Sequence, residues 1–236
     1  VAFLSSAAAR AAIGIRSWSQ DLLGLAFPWP ESDEAAPVRI EPPFCQQCGY
    51  PYENLPDATP FTCSTCTDRH WHFAWARAGC LTAGQVHEAV VGFKYRDEFY
   101  RLSQLSGWLI EAYDQHAAGE RWDAVVPVPL YHRRLRTRGF NQARELAHAL
   151  GRARNIPLRD CLRRDRETPS QTGLARTARW DNIQGAFAVK GRFDVAGRNL
   201  LLIDDVFTTG ATTNACARAL ADAGAGRLAV LTVSRS

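Results

Sequence analysis

Residues 200–214 read Leu-Leu-Leu-Ile-Asp-Asp-Val-Phe-Thr-Thr-Gly-Ala-Thr-Thr-Asn. The aliphatic run at 200–203 is the pattern of a strand buried on both faces in a parallel sheet. Asp204 and Asp205 stand where that strand is expected to end. Thr208, Thr209, Gly210, Ala211 and Thr212 make a loop of small and hydroxyl residues, and 213–223 has helical character. Strand, acidic pair, Thr/Gly loop and helix, in that order, build a cradle for a sugar phosphate. Loop amides and the helix N-terminus face the phosphate, while the carboxylates accept hydrogen bonds from sugar hydroxyls or face a metal. A Walker B strand also ends in Asp, but it needs an upstream Gly-Lys phosphate loop, and the chain contains no Gly-Lys pair. A bare structural turn has no need of two acids and four threonines.

Working outward, residues 124–128 and 228–233 read as further buried strands. Pro127 and Pro129 end the first of these, because proline cannot donate to a sheet ladder. Helical spacing of apolar residues marks 86–93, 102–113 and a helix starting at Asn141. Strands alternating with helices predict a mainly parallel α/β sheet whose ligand crevice lies beyond the strand C-termini. Residues 127–130 and 204–213 both emerge there. Between Cys161 and Gly185 the apolar periodicity nearly vanishes, and a connection that long is usually functional or disordered.

The formal charge of +4 is unevenly spread: residues 120–185 hold fourteen Arg against seven Asp and Glu, a local excess of +7. Such an excess suits a polyanion, either a phosphorylated small molecule or a nucleic-acid backbone. Solvated arginines on helix faces would give the same count. No apolar run approaches the ~20 residues that span a bilayer. The Ala-rich start, residues 1–15, lacks a basic n-region and a long apolar core, so it is expected to be a surface or partner helix in a cytoplasmic protein. Residues 17–29 have the spacing of a short amphipathic helix, and 31–43 form an acidic, Pro-rich linker.

Seven cysteines divide unequally. Cys45, Cys48, Cys63 and Cys66 form a C-x2-C-x14-C-x2-C pattern, from which two knuckles closing a tetrahedral, structural zinc site are expected; two disulfides are the alternative, against which stand the absence of a secretory signal pattern and the leftover single cysteines. Gly49 follows the first knuckle, where a positive φ is expected. Residues 44–70 have few aliphatic side chains, so the ion would supply the folding free energy there. Cys80 and Cys216 are expected to pack as small core residues.

The acidic-pair segment resembles the phosphoribosyl-pyrophosphate (PRPP) motif of type I phosphoribosyltransferases. Taken in order, further motifs are similar to the ComF-type proteins of bacterial competence, which join a zinc ribbon to such a domain. They are Phe27-Pro28, the C-x2-C-Gly knuckle, Phe93-Lys94-Tyr95-Arg96-Asp97, Val126-Pro-Val-Pro-Leu130 and Arg138-Gly-Phe-Asn-Gln142. Gln171-x2-Leu174 and Asn182-x2-Gly-Ala-Phe187 complete the set. Trp180 departs from the pattern, which has a basic residue there.

The resemblance implies a type I phosphoribosyltransferase fold with a small N-terminal zinc ribbon, divided as 1–43 (helix and linker), 44–76 (ribbon) and 77–236 (transferase-like domain). It implies that Asp204 and Asp205 bind the ribose hydroxyls and that residues 208–212 bind the 5-phosphate. Pro129, Leu130 and Tyr131 would form the pyrophosphate loop, with Arg133 or Arg138 adding charge. Arg163, Arg164, Gln171 and Leu174 would belong to a hood over the reacting centre. Magnesium would accompany PRPP, and the activity implied is transfer of ribose 5-phosphate to a nucleobase-like acceptor within DNA uptake. The alternative is a non-catalytic protein that binds single-stranded DNA or a helicase of the transformation machinery.

Overall fold

The computed structural model describes residues 36–52, 60–166, 183, 185–191 and 193–236. The chain divides into two units, Val1–Ala35 and Ala36–Ser236, and the description concerns the second. The expected helices and linker within 1–35, the Phe27-Pro28 pair, Gln171, Leu174 and Trp180 all lie outside the described residues.

In chain order the elements are α1 (Ser64–Thr67), β1 (Ala76–Leu81), α2 (Gly84–Tyr95), α3 (Arg101–His116), β2 (Ala124–Pro127), α4 (His132–Arg138) and α5 (Gln142–Arg154). They continue with β3 (Leu162–Arg164), β4 (Phe187–Val189), β5 (Leu200–Phe207), α6 (Ala211–Asp222) and β6 (Leu228–Arg235). Four strands make one sheet in the order β1-β6-β5-β2, and every pairing in it is parallel. The strands carry core on both faces, which is why their sequences are continuously apolar. Leu200 and Leu202 pack with Val126, Val230, Cys216 and Leu220 on the face covered by α6. Leu201 and Ile203 point the other way, into a core with Phe93, Leu105, Leu109, Leu146 and Leu150 from α2, α3 and α5. One strand thus feeds two cores through its two-residue period.

The structure differs from the sequence expectation in three places. β5 runs on to Phe207, with Asp204 in register opposite Thr232 of β6. The acids therefore sit inside the strand, because β6 continues alongside and supplies the ladder. Residues 132–138, without apolar periodicity, form α4, which buries none of its side chains. The long connection after Cys161 contains a hairpin of β3 and β4, built on Leu162 and Phe187. Residues 38–40 lie along the outer edge of β1, where Ile40 N–H donates to Gly79 O and Val38 O accepts from Leu81 N–H. That segment covers an edge that would otherwise be open to pairing. Among the described residues, no helix is long and apolar enough to cross a membrane.

Candidate functional site: the acidic pair, the phosphate loop and the cysteine knuckles

β5 and β2 end on the same side of the sheet, as parallel neighbours must, and bring the acidic pair beside the loop at 128–131. Asp205 is buried and Asp204 half-buried. The carboxylate of Asp205 is ion-paired with Lys94, the penultimate residue of α2, and its backbone N–H donates to Asp204 Oδ1 at 2.9 Å. Burial, then the charge of Asp205, push the Asp204 carboxyl well above the ordinary carboxylate range. Burial opposes ionisation of Asp205 too, but the Lys94 ammonium, the hydrogen bond from Asp204 and the charge of Arg138 bring it below that range. The two shifts run in opposite directions, as expected where two like charges lie so close.

The motifs around the acids have mechanical roles that explain their residue types. Asn141 caps α5 by accepting from Ala143 N–H at 3.1 Å, and its Nδ2 donates to Val128 O at 3.0 Å. One side chain thereby ties the helix start to the exit of β2 and holds the 128–131 loop in place. The buried Gln142 accepts from Arg138 Nη1 at 2.6 Å, and the Arg138 guanidinium lies 5.0 Å over the Tyr95 ring. Phe140 packs 4.9 Å from Phe93 and 5.1 Å from Phe99. Two supports thus hold Arg138, whose charge is felt at Asp205. Pro129 is buried, Leu130 and Tyr131 are half-buried, and Arg133 is exposed on α4.

The phosphate loop is fixed from beneath. Gly210 has φ 77°, and a Cβ there would sit 2.6 Å from Phe207 and 2.7 Å from Trp71, so both the backbone sign and the contact demand glycine. Thr213 Oγ1 donates to Gly210 O at 3.1 Å, and Thr209 Oγ1 accepts from Ala211 N–H at 3.4 Å. Thr208 is exposed; Thr209 and Thr212 are half-buried. Asn214, buried in the first turn of α6, accepts from His72 N–H at 2.8 Å and donates to His70 O at 3.2 Å.

Arg163 and Arg164 lie on β3, within the hairpin. Arg163 is exposed and pairs with Asp165 at 2.8 Å, while Arg164 lies 5.3 Å over the Phe187 ring.

The four knuckle sulfurs lie within 4.8 Å of one another and can hold a metal ion. Tetrahedral ligands at the usual Zn–S length of ~2.3 Å stand about 3.8 Å apart, and Cys48 and Cys63 Sγ are separated by 3.8 Å. The neighbouring Cys48 and Cys66 sulfurs hold the Cys45 thiol well below its ordinary value, and the Cys48 thiol is pushed up to about 11, chiefly by its interaction with Cys45. Gly49 takes φ 68° and leaves its missing Cβ 2.7 Å from Ala76 O, as the knuckle pattern led us to expect. Arginines of the sheet fasten the module: Arg77 Nη1 donates to Gln46 O at 2.9 Å, and the buried Arg235 donates to Cys48 O and Cys48 Sγ. Cys80 and Cys216 are fully buried.

The site residues that sequence reasoning missed are Lys94, Trp71, Asn214 and Arg235. Lys94 stands within a quoted motif, but nothing in its spacing says that a residue on α2 reaches β5. The others are joined to the site only by tertiary contact.

The parallel sheet, the loop at the end of β5 and its acidic pair define a phosphoribosyltransferase-type domain. The phosphoribosyl transferase domain family matches residues 97–235, and the chain belongs to it. Its homologues place it with the ComF family. Competence protein F of Haemophilus influenzae is 36% identical over 116 residues, 48% of this chain and 51% of that protein. Competence protein ComFC of Bacillus subtilis is 37% identical over 113 residues, 48% of this chain and 44% of that protein. DNA utilization protein YhgH of Escherichia coli is 28% identical over 209 residues, 84% of this chain and 87% of that protein. The alignments with the two competence proteins thus span about half the length of each.

Proposed function

We propose that the protein binds Mg–PRPP and transfers its ribose 5-phosphate to a nucleobase-like acceptor in the service of DNA uptake. The observation that carries this reading is the convergence of Asp204, Asp205, the 208–212 loop and Arg138 at the ends of β5 and β2. The loop and the start of α6 receive the 5-phosphate. Asp205 and Asp204 each accept a hydrogen bond from a ribose hydroxyl. Displacement of pyrophosphate builds positive charge on the ribose ring and negative charge on the leaving group. Arg138, next to the 128–131 loop, meets that negative charge. Two carboxylates together with substrate oxygens are the donor set magnesium takes, so the residues present fit the ion, which would neutralise the departing pyrophosphate. Lys94 holds the pair together until the ligand competes for Asp205. Residues 163–174 serve as the hood that keeps water from the reacting centre. Zinc, held by Cys45, Cys48, Cys63 and Cys66, is structural, since four thiolates leave no open position. The divisions 1–43, 44–76 and 77–236 are the domains of this reading.

Calorimetry with Mg–PRPP tests it. An Asp204→Asn/Asp205→Asn double variant is expected to bind at least about thirtyfold more weakly, two charge-assisted hydrogen bonds being worth roughly 1.5–3 kcal/mol each before compensation. Equal affinity in both proteins, or none in either, would remove the proposal. Pyrophosphate release on adding a panel of nucleobases then reads transfer itself. The exposed arginines of α4 favour one second reading, a non-catalytic contact with single-stranded DNA beside a helicase partner. Its signature is affinity for an oligonucleotide that falls steeply with salt.

A further inference from the structure

The acidic pair is met by a cation that the chain itself supplies. Lys94 and Asp205 form an ion pair whose side chains are only 17% and 6% exposed. Surface lysines wander, because their stems are flexible and their ammonium groups strongly hydrated. This one is held by its neighbours. Phe93 is buried, with its ring 4.9 Å from Phe140 and 6.4 Å from Phe99, and the Tyr95 ring seats the guanidinium of Arg138. α2 ends one residue after Lys94, and a cation in the last turn of a helix is favoured by the free carbonyls there. The turn that follows is tied down as well: Arg96 N–H and Glu98 N–H donate to Gly92 O at 3.0 and 3.3 Å, and Asp97 takes the left-handed φ of 56°. The end of α2 is therefore shaped to hold Lys94 against β5.

This pairing limits what else the acids can hold. One oxygen of Asp205 faces the Lys94 ammonium, and Asp204 Oδ1 accepts from the Asp205 N–H at 2.9 Å. A divalent cation of the magnesium type demands a tight octahedron of oxygens and gives up its waters reluctantly. To reach these carboxylates alone, it must approach a fixed positive charge in a site where burial weakens screening. A ligand that carries phosphates changes the balance, because it brings anionic oxygens for the metal and for the lysine together. The flexible stem of Lys94 can then leave Asp205 for those oxygens, beside Arg138 on the adjacent Tyr95.

We propose that Lys94 is a displaceable counter-ion: it takes the place of a divalent cation on the acidic pair and keeps free metal off until a phosphorylated ligand carries the metal in. Metal and ligand then enter as one complex. The proposal deepens the proposed function and rests on it only for the identity of the incoming ligand. Lysine suits the task because a single charge can withdraw without breaking the two-pronged grip that arginine makes on a carboxylate.

Manganese(II) alone is the probe, read on the full chain with zinc supplied, through the paramagnetic resonance signal of the free ion. It favours oxygen ligands as magnesium does, and it competes poorly with zinc for thiolates. Lys94→Gln is expected to bind one Mn²⁺ at least about tenfold more tightly than wild type, because a neighbouring positive charge has been removed. Lys94→Arg restores the charge and should return the affinity to the wild-type level. Lys94→Gln/Asp205→Asn should lose the gain, which fixes the ion on the pair. A purely structural role for Lys94 would change stability without creating a metal site. Equal Mn²⁺ binding by wild type and Lys94→Gln, or none by Lys94→Gln, overturns the proposal. If circular dichroism shows that Lys94→Gln does not fold, Asp205→Asn alone decides. Mn²⁺ binding by wild type that this variant weakens would put metal on the pair with Lys94 in place and overturn the proposal, whereas equal binding upholds it. If Mg–PRPP fails to bind wild type while Mn²⁺ separates the variants as expected, the proposed function falls and the counter-ion stands. If Mg–PRPP binds but Mn²⁺ does not tell wild type from Lys94→Gln, the reverse holds.

Discussion

The cysteine knuckles and the acidic pair both crowd ionisable groups that repel one another once charged, and they resolve this in opposite ways. Around the knuckles, four thiols lie within 4.8 Å, and the sheet contributes the Arg235 guanidinium at Cys48 and the charge of Arg77 near Cys45 and Cys48. Four thiolates there would need a metal ion to balance them. At the acidic pair the protein supplies the compensation itself, through Lys94 against Asp205 and an Asp204 that resists ionisation. On the proposed reading the difference reflects what each region must release. A structural ion stays, so the knuckles can depend on it for their fold, whereas a ligand that arrives and leaves needs a site that survives alone, and Lys94 partners Asp205 in its absence.

The sharpest way to break the comparison is to remove a knuckle ligand. Cys48→Ser is expected to abolish stoichiometric zinc, read by elemental analysis, and to unfold residues 44–73 as read by limited proteolysis. Structural zinc contributes roughly 10–16 kcal/mol of apparent binding free energy to such modules. β5 and β6 should keep most of their hydrogen-exchange protection, because one of their two cores contains none of the knuckle cysteines, while the other, which includes Cys45, Cys48 and Cys66, should loosen.

At the acidic pair the loss should be smaller. Lys94→Met removes the partner of a buried carboxylate and is expected to cost about 3 kcal/mol near pH 7, measured by denaturant unfolding. Asp205 titrates below its ordinary value in the fold, so the stability it gains is present above the unfolded carboxylate pKa of ~3.9 and is lost as pH falls through the depressed folded value. The gap between wild type and variant should therefore be full at neutral pH and close in strong acid. A gap that widens on acidification would count against the pairing.

The smallest effect tests whether the two regions are joined. Asn214 on α6 bonds the backbone of His70 and His72, so Asn214→Ala should cost about 1–2 kcal/mol. It should also raise hydrogen exchange at His72 and weaken Mg–PRPP binding a few-fold. Unchanged PRPP affinity would mean that the strap at 70–72 holds the knuckles without steadying the loop.

Much of the fold was legible because it rests on local signals. The apolar run at 200–203 could only be a strand buried on both faces, and the spacings of 86–93 and 102–113 marked helices. The knuckle spacing and Gly49 were equally local. The end of β5 was misplaced because strand length depends on what lies alongside, here Thr232 and Ser234 of β6. The helix α4 escaped notice because it buries nothing and so leaves no apolar period. Within the site, Asp204 and Asp205 looked equivalent in sequence, and only Lys94 divides them.

By itself, the sequence determined which groups are present and how far apart they lie along the chain: two acids before a Thr/Gly loop, four cysteines in two pairs, and arginines massed between residues 120 and 185. The tertiary structure decided which of them carry charge and what they face. Ionisation depends on burial and on neighbours brought from distant segments, and no spacing rule places Lys94 against Asp205 or Arg235 against Cys48. Those contacts arise because β1, β6, β5 and β2 run parallel and so deliver the ends of separate segments to one edge of the sheet.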